Sequence, residues 1–313
     1  VAASHGAIPP SAVVAGKEKS GETLYIARIH EGNTVHVGKC GSHLRGAISA
    51  YDGREQFYNN YEVLCGRSSQ LKWVEHNGAF DPTKIIGSPI VGGTDSSGAT
   101  LFITRAKTGY TDDSNFAGSA IPIGVQPGKI SSLMSGASAC AGGREYTSKQ
   151  YEVLVYYYEG YSWVQTSNGN IPSNALPTGR ENDSRGALYT ARGFMASSPN
   201  KVGKAASHLG GGSFPFNYAE VFLSNVEVFA GPSSGVSWVS QSGRFNPANV
   251  TGQLVLGGID ADGAVLYIAR AAYSGGTHRV DDYSDLFINT DGAHFSADHG
   301  EHGAQNYEVL VYN

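Results

Sequence analysis

Apolar and polar positions alternate along one short run that is written four times: LYIAR at Leu24 to Arg28, LFITR at Leu101 to Arg105, LYTAR at Leu188 to Arg192 and LYIAR at Leu266 to Arg270. Alternation over five residues puts successive side chains on opposite faces, the mark of a half-buried β-strand. A polar, glycine-containing turn leads into each run. Before that turn a glycine stands two residues ahead of a carboxylate, in Gly16 to Glu18, Gly93 to Asp95, Gly179 to Glu181 and Gly258 to Asp260. In the third copy the turn is one residue longer. Counting back from Arg192 there gives Asn182 in place of Glu181.

A second alternating run closes each copy. It reads YEVL at Tyr61 to Leu64, Tyr151 to Leu154 and Tyr307 to Leu310, and is degraded at Asn225 to Phe229. Its recurring glutamates, Glu62, Glu152, Glu227 and Glu308, match the recurring Arg28, Arg105, Arg192 and Arg270 in number, and we read each set as a cross-strand ion pair. Three copies carry a Gly-Lys pair between the two runs, at Lys39, Lys129 and Lys204. Matching Asp291, Gly292 and Ala293 to Arg45, Gly46 and Ala47 places Asp285 where the fourth lysine would stand. The fourth site is therefore expected to be altered or dead.

A tryptophan precedes the later copies, at Trp73, Trp163 and Trp238. The first copy has none, so one edge strand is expected to be missing there, leaving a sheet edge open to a second chain or to strand exchange. The repeats run over about 5–66, 70–156, 157–230 and 235–313, too long for solenoid units or propeller blades. Five or six short strands per repeat suffice for two small sheets around one core. The expected class is all-β, with the repeats paired into two compact antiparallel, sandwich-like modules over 1–158 and 159–313. The stretch within Gly109 to Gln126 lengthens the second repeat and reads as an exposed loop.

Composition narrows the function. Forty-two glycines in 313 residues, scattered through a long repeat, speak for many turns and against collagen. A net charge of −5 with no basic run argues against a nucleic-acid surface, and no apolar stretch is long enough for a membrane-spanning helix. Cys40, Cys65 and Cys140 are too few for a disulfide framework; buried thiols are the simpler reading, with a Cys40 to Cys65 bridge the other. His43 beside Ser42, Ser207 beside His208, and His294, His299 and His302 near Asp298 and Glu301 lack a nucleophile elbow or a recognised zinc spacing, so neither catalysis nor a cofactor is expected.

The ordered set of tryptophan, Gly-x-acid, LY-x-x-R, Gly-Lys and YEVL resembles the DM-nine repeat family, which includes mannose-recognising lectins of bivalve molluscs. The resemblance covers the whole chain. It implies paired repeats with exchanged strands and a metal-independent sugar site made of the acid after the glycine and the Gly-Lys lysine. Carried over, that gives Glu18 with Lys39, Asp95 with Lys129, Glu181 with Lys204, and Asp260 facing Asp285. Glu in place of Asp distinguishes the first. The implied partners are mannose-containing glycans or microbial surface polysaccharides, as in innate-immune pattern recognition. A carboxylate accepts from vicinal hydroxyls while an ammonium donates to them. One such site binds weakly, near −4 kcal/mol, and linked sites gain roughly 100-fold by avidity. Acid and amine are expected to meet at an open rim, at least in the second copy. An extracellular life follows from this reading, and glycosylation at Asn182 or Asn249 would fit it; no signal peptide is visible, which keeps the cytoplasm open. The rival reading is a non-catalytic structural or matrix protein built from the same repeats.

Overall fold

The structure, a computed structural model, describes residues 1–107, 124–180, 186–195, 198–272, 279–283, 292–297 and 299–313. Glu181, Asn182, Asp285 and Asp298, and most of the long loop of the second repeat, lie outside the described residues. The chain divides into two compact units, Val1–Tyr157 and Tyr158–Asn313. It is all-β, and the strand pairings are antiparallel throughout the described residues.

Each repeat contributes three strands to the centre of its unit: an acid strand ending at the carboxylate turn, an arginine strand carrying LY-x-x-R, and a lysine strand. In the first repeat these are Val14–Lys17, Thr23–Glu31 and Thr34–Gly41; in the second, Val91–Thr94, Thr100–Lys107 and Val125–Ile130. The exchange lies in the pairing. The acid strand of the second repeat pairs with the lysine strand of the first at Thr94 and Val35, and that of the first pairs with the lysine strand of the second at Lys17 and Val125. With the pairings inside each repeat, the six strands close into a barrel. Val13, Ala15, Ile26, Val37, Leu101 and Ile103 fill it, the inward half of each alternation.

The glycine ahead of each acid has a clear physical reason. Every acid strand shifts register at that glycine, a β-bulge between Val14 and Gly16, Val91 and Gly93, Pro177 and Gly179, and Leu256 and Gly258. A Cβ there would overlap the partner repeat's backbone: the carbonyl of Val125 at Gly16, of Val35 at Gly93 and of Asn200 at Gly258. The glycine therefore lets two repeats touch. The Gly-Lys glycines do the same within a repeat, since a Cβ at Gly38, Gly128 or Gly203 would strike the carbonyl of Ile48, Ser138 or Ser213.

Beyond the lysine strands, hairpins Gly46–Tyr51/Arg54–Tyr58 and Ala137–Ala141/Arg144–Ser148 meet tip to tip, Arg54 opposite Arg144. The second unit has the corresponding strands, exchanged between repeats at Asn200 and Ile259. Its acid, arginine and lysine strands are Pro177–Arg180, Ala187–Met195 and Ser198–Ala206, then Leu256–Ile259, Val265–Ala271 and Arg279–Tyr283. Its hairpins meet at Ala219 and Gly300.

Three expectations need correction. The edge strand of the first repeat is present as Ala2–Ser4, with Ala2 opposite Glu62. On the matching strands of the later copies Trp73, Trp163 and Trp238 stand against Leu154, Phe229 and Leu310. Gln126 is no loop residue; it is buried on a lysine strand. The third concerns the position of the fourth lysine and depends on the site geometry below. The cysteines are free thiols, with Cys40 and Cys140 buried and each pushed up to about 12 by burial.

Candidate functional site

The lysines define the sites. Strand register sets Lys39 opposite Ile26, Lys129 opposite Ile103 and Lys204 opposite Thr190, always two residues before the arginine. Each lysine faces the seam where its lysine strand meets the partner repeat. The expected open rim is thus not what forms: Lys39 is 2 %, Lys129 7 % and Lys204 1 % exposed. Burying an ammonium is costly unless oxygens replace its water.

Around Lys39 those oxygens are abundant. Its Nζ donates to Gln126 Oε1 at 2.8 Å and to the carbonyl of Cys140 at 2.9 Å, both from the second repeat. Glu18 Oε1 and Glu55 Oε1 each stand 3.4 Å away. Gln126 also donates to Glu18 Oε2 at 2.8 Å. The pairing of Glu18 with Lys39 expected from the sequence is therefore made, but inside a cluster that two repeats build together. Both carboxylates remain part-exposed while the amine between them is buried.

The second cluster is the counterpart under exchange of repeats. Lys129 donates to the carbonyl of Ala50 in the first repeat, its one hydrogen-bond acceptor among the described residues. Burial lowers its pKa, opposed by the charges of Glu145 and Asp95. Asp95 makes no direct ion pair with it among the described residues. The Asp95 carboxylate instead caps its own turn, accepting from the N–H groups of Ser97 at 2.9 Å and Ala99 at 3.0 Å and from Ser97 Oγ at 2.6 Å. In the place of Gln126 stands His36, buried, its pKa lowered by burial first and by the Lys129 charge second. His36 also bonds Thr34 Oγ1 at 3.1 Å.

In the second unit, Lys204 donates to the carbonyl of Ser296 and lies 3.7 Å from Glu220. Its expected acid, Glu181, is outside the described residues. The register matches the first repeat up to the turn: Gly179 faces Leu188 and Arg180 faces Ala187, as Gly16 faces Leu24 and Lys17 faces Thr23. The extra residue thus lies between Arg180 and Ala187, the stretch that holds both Glu181 and Asn182. The same reasoning corrects the fourth copy. Asp282, not Asp285, pairs with Ile268, two residues before Arg270, and holds the lysine's place. The count back from Gly292 misses it because more residues separate Asp282 from Gly292 than separate Lys39 from Gly46. Asp260 is met instead by Lys201, at 2.7 Å.

One recurrent residue escaped the sequence reading. Glu55, Glu145, Glu220 and Glu301 stand on the second strand of each hairpin. Ser138 donates to Glu145, Ser213 to Glu220, and His294 bonds Glu301. The other carboxylate oxygen of each accepts a backbone N–H from the partner repeat's hairpin, from Gly143, Gly53, His299 and Tyr218 respectively. A signal existed: each sits at one fixed spacing ahead of the closing-strand glutamates Glu62, Glu152, Glu227 and Glu308.

The arginines are structural. Arg28, Arg105, Arg192 and Arg270 face Glu62, Glu152, Glu227 and Glu308 in register, with N to O distances of 2.5 to 2.7 Å. In the last three copies the guanidinium also lies over Trp73, Trp163 or Trp238, at 4.5, 4.5 and 4.2 Å from the ring centre. The histidines of the C-terminal stretch have separate partners, His294 with Glu301 and His302 with the carbonyl of Ala297.

Repeats paired by exchanged strands, with a buried cation or its substitute at each seam, define a tandem-repeat all-β protein. The family model described as DM9 repeat matches residues 1–58, 33–112, 111–200 and 186–279, and the chain belongs to the DM9 repeat family. The windows straddle the repeat boundaries drawn above, the second opening at a lysine strand. No curated protein matches the sequence. Among solved structures it is similar to the nematode sperm cell motility protein MFP2B, with 11% identity and a TM-score of 0.37, over 99% of this chain and 95% of that one.

Proposed function

We propose that the protein is a metal-independent, non-catalytic carbohydrate-binding protein that takes mannose or mannose-rich glycans at its repeat seams. The observation that carries this reading is the Lys129 cluster. Its ammonium has a single acceptor among the described residues, which leaves two N–H donors without one among them, within reach of the charges of Glu145 and Asp95. A pair of vicinal hydroxyls offers the lone pairs those donors need and the protons the carboxylates accept. At the first seam the exposed Phe57 shares a sheet face with Lys39, through Ile48 between them, and gives the apolar face of a pyranose something to lie on.

A glycan array and a titration with methyl α-mannoside test this. The full chain should bind mannose-rich glycans, and Asp95→Ala or Lys129→Met should remove the second site while the unfolding midpoint stays high. Silence of the wild-type chain across the array would overturn it.

The structural reading has its own support, in Lys39. Four protein oxygens already surround that ammonium, so the first cluster serves as a clasp between repeats whatever it binds.

A further inference from the structure

The fourth copy lost the Gly-Lys lysine, and on that ground its site is expected to be altered or dead. The seam geometry shows where a replacement comes from. Within each unit, the residue three before a lysine on one repeat faces the carboxylate turn of the other. Gln126 of the second repeat donates to Glu18 of the first, and His36 of the first lies close enough to Asp95 of the second for that charge to act on it. The same place in the third repeat is Lys201, and it reaches Asp260 of the fourth at 2.7 Å.

From this we infer that the fourth repeat holds a rebuilt polyol site, with Asp260 as its acid and Lys201, supplied by the third repeat, as its amine. The inference rests on the carbohydrate reading above. The pair is not a surface ornament. Lys201 is buried, with 9 % of its side chain exposed against 24 % for Asp260, so the acid is the more open partner, as Glu18 is over Lys39. Glu301 supplies the second carboxylate, in the place that Glu55 and Glu145 take in the first unit. Burial would raise its pKa, but hydrogen bonds from His294 and the Tyr218 N–H hold it down, with a smaller contribution from the Lys201 charge. His294 bonds Glu301 at 2.9 Å where a serine does so in the second and third repeats. Among the described side chains, two acids and one amine thus recur at the fourth seam, with the amine supplied by the third repeat. The ligand is of the same class, a vicinal diol of a hexose.

Amide spectra of the full chain during titration with methyl α-mannoside separate the two claims. The N–H of Ala261 donates to Asp260 Oδ1 at 2.7 Å, and those of Ser97 and Ala99 donate to Asp95, so these amides report the fourth and second sites independently. The expected result is movement of all three signals in the wild type, with Lys201→Gln abolishing the Ala261 shift and sparing Ser97 and Ala99. Should Lys201→Gln not fold, Asp260→Asn is read the same way. Movement of Ser97 and Ala99 with a still Ala261 overturns the rebuilt site and leaves the general reading standing. An Ala261 shift that persists in Lys201→Gln overturns the role given to Lys201. If none of the three signals moves, both fall.

Discussion

Glu55 and Glu145 hold each other's hairpins: Glu55 Oε2 accepts the N–H of Gly143 at 2.6 Å, and Glu145 Oε2 accepts that of Gly53 at 2.9 Å. Each sends its other oxygen inward, Glu55 toward Lys39 and Glu145 to Ser138. One carboxylate thus joins a hairpin tip of one repeat to the polar centre of a seam. Truncating it releases both. Hydrogen bonds to a charged group contribute about 1.5–3 kcal/mol. Glu55→Ala should lower the stability of the first unit by about that amount, read from the urea midpoint of an isolated transition.

The lysines should separate by cost. Lys39→Met strands Glu18 and Glu55 beside each other with their cation gone, and removing one partner of a buried ionic cluster costs about 3–5 kcal/mol. Lys129 makes one hydrogen bond among the described residues, so Lys129→Met should cost clearly less. Equal losses in denaturant unfolding would contradict the view that the second cluster has donors to spare.

Arg105→Lys breaks a bidentate pair with Glu152, at 2.6 and 2.8 Å, and removes a planar cation from Trp73. A loss of about 1–2 kcal/mol is expected. Arg28 has no tryptophan beneath it and is about half exposed, so Arg28→Lys should cost under about 1 kcal/mol. Thermal melting of the two variants side by side checks the contrast.

His36 makes the second seam sensitive to acid. Burial first, then the Lys129 charge, depresses its pKa below the ordinary histidine value of about 6.5. A depressed folded-state pKa gives stability that is present above the unfolded value and lost as pH falls through the folded one. Stability of the first unit should therefore drop below about pH 6.5, and His36→Gln, which copies Gln126, should flatten that part of the profile. Glu62 acts further down. Burial alone would raise its pKa, but hydrogen bonds from Arg28 and His30 hold it at about 2, so its contribution is lost between about pH 4.5 and 2. Unfolding midpoints measured from pH 8 to 2 would show two separate descents.

Gly93→Ala tests the bulge. Its Cβ would strike the Val35 carbonyl of the partner repeat, and backbone cannot step aside as a flexible side chain can. A cost of about 3 kcal/mol follows from the forced overlap, with little change in the second unit.

Much of this was legible in the alternation. The arginine and closing strands, and the ion pairs joining Arg28, Arg105, Arg192 and Arg270 to their glutamates, follow from period-two patterning and recurrence alone. The acid-strand glycines were visible as a motif, but their reason was not, because the clashing carbonyl belongs to another repeat. Linear order likewise hides which repeat supplies Gln126 to Lys39 or Lys201 to Asp260. Glu55, Glu145, Glu220 and Glu301 were missed because their flanking residues change from Gly-Arg to Tyr-Ala and His-Gly while their spacing holds.

The crossing of acid and lysine strands carries a rule about number. A lone copy would own half of two seams and the whole of none, and a third copy would leave two halves unmatched. Only an even count of copies closes every seam, so the smallest fragment that keeps a complete seam is one exchanged pair, and cutting between its two copies should leave both pieces with open strand edges.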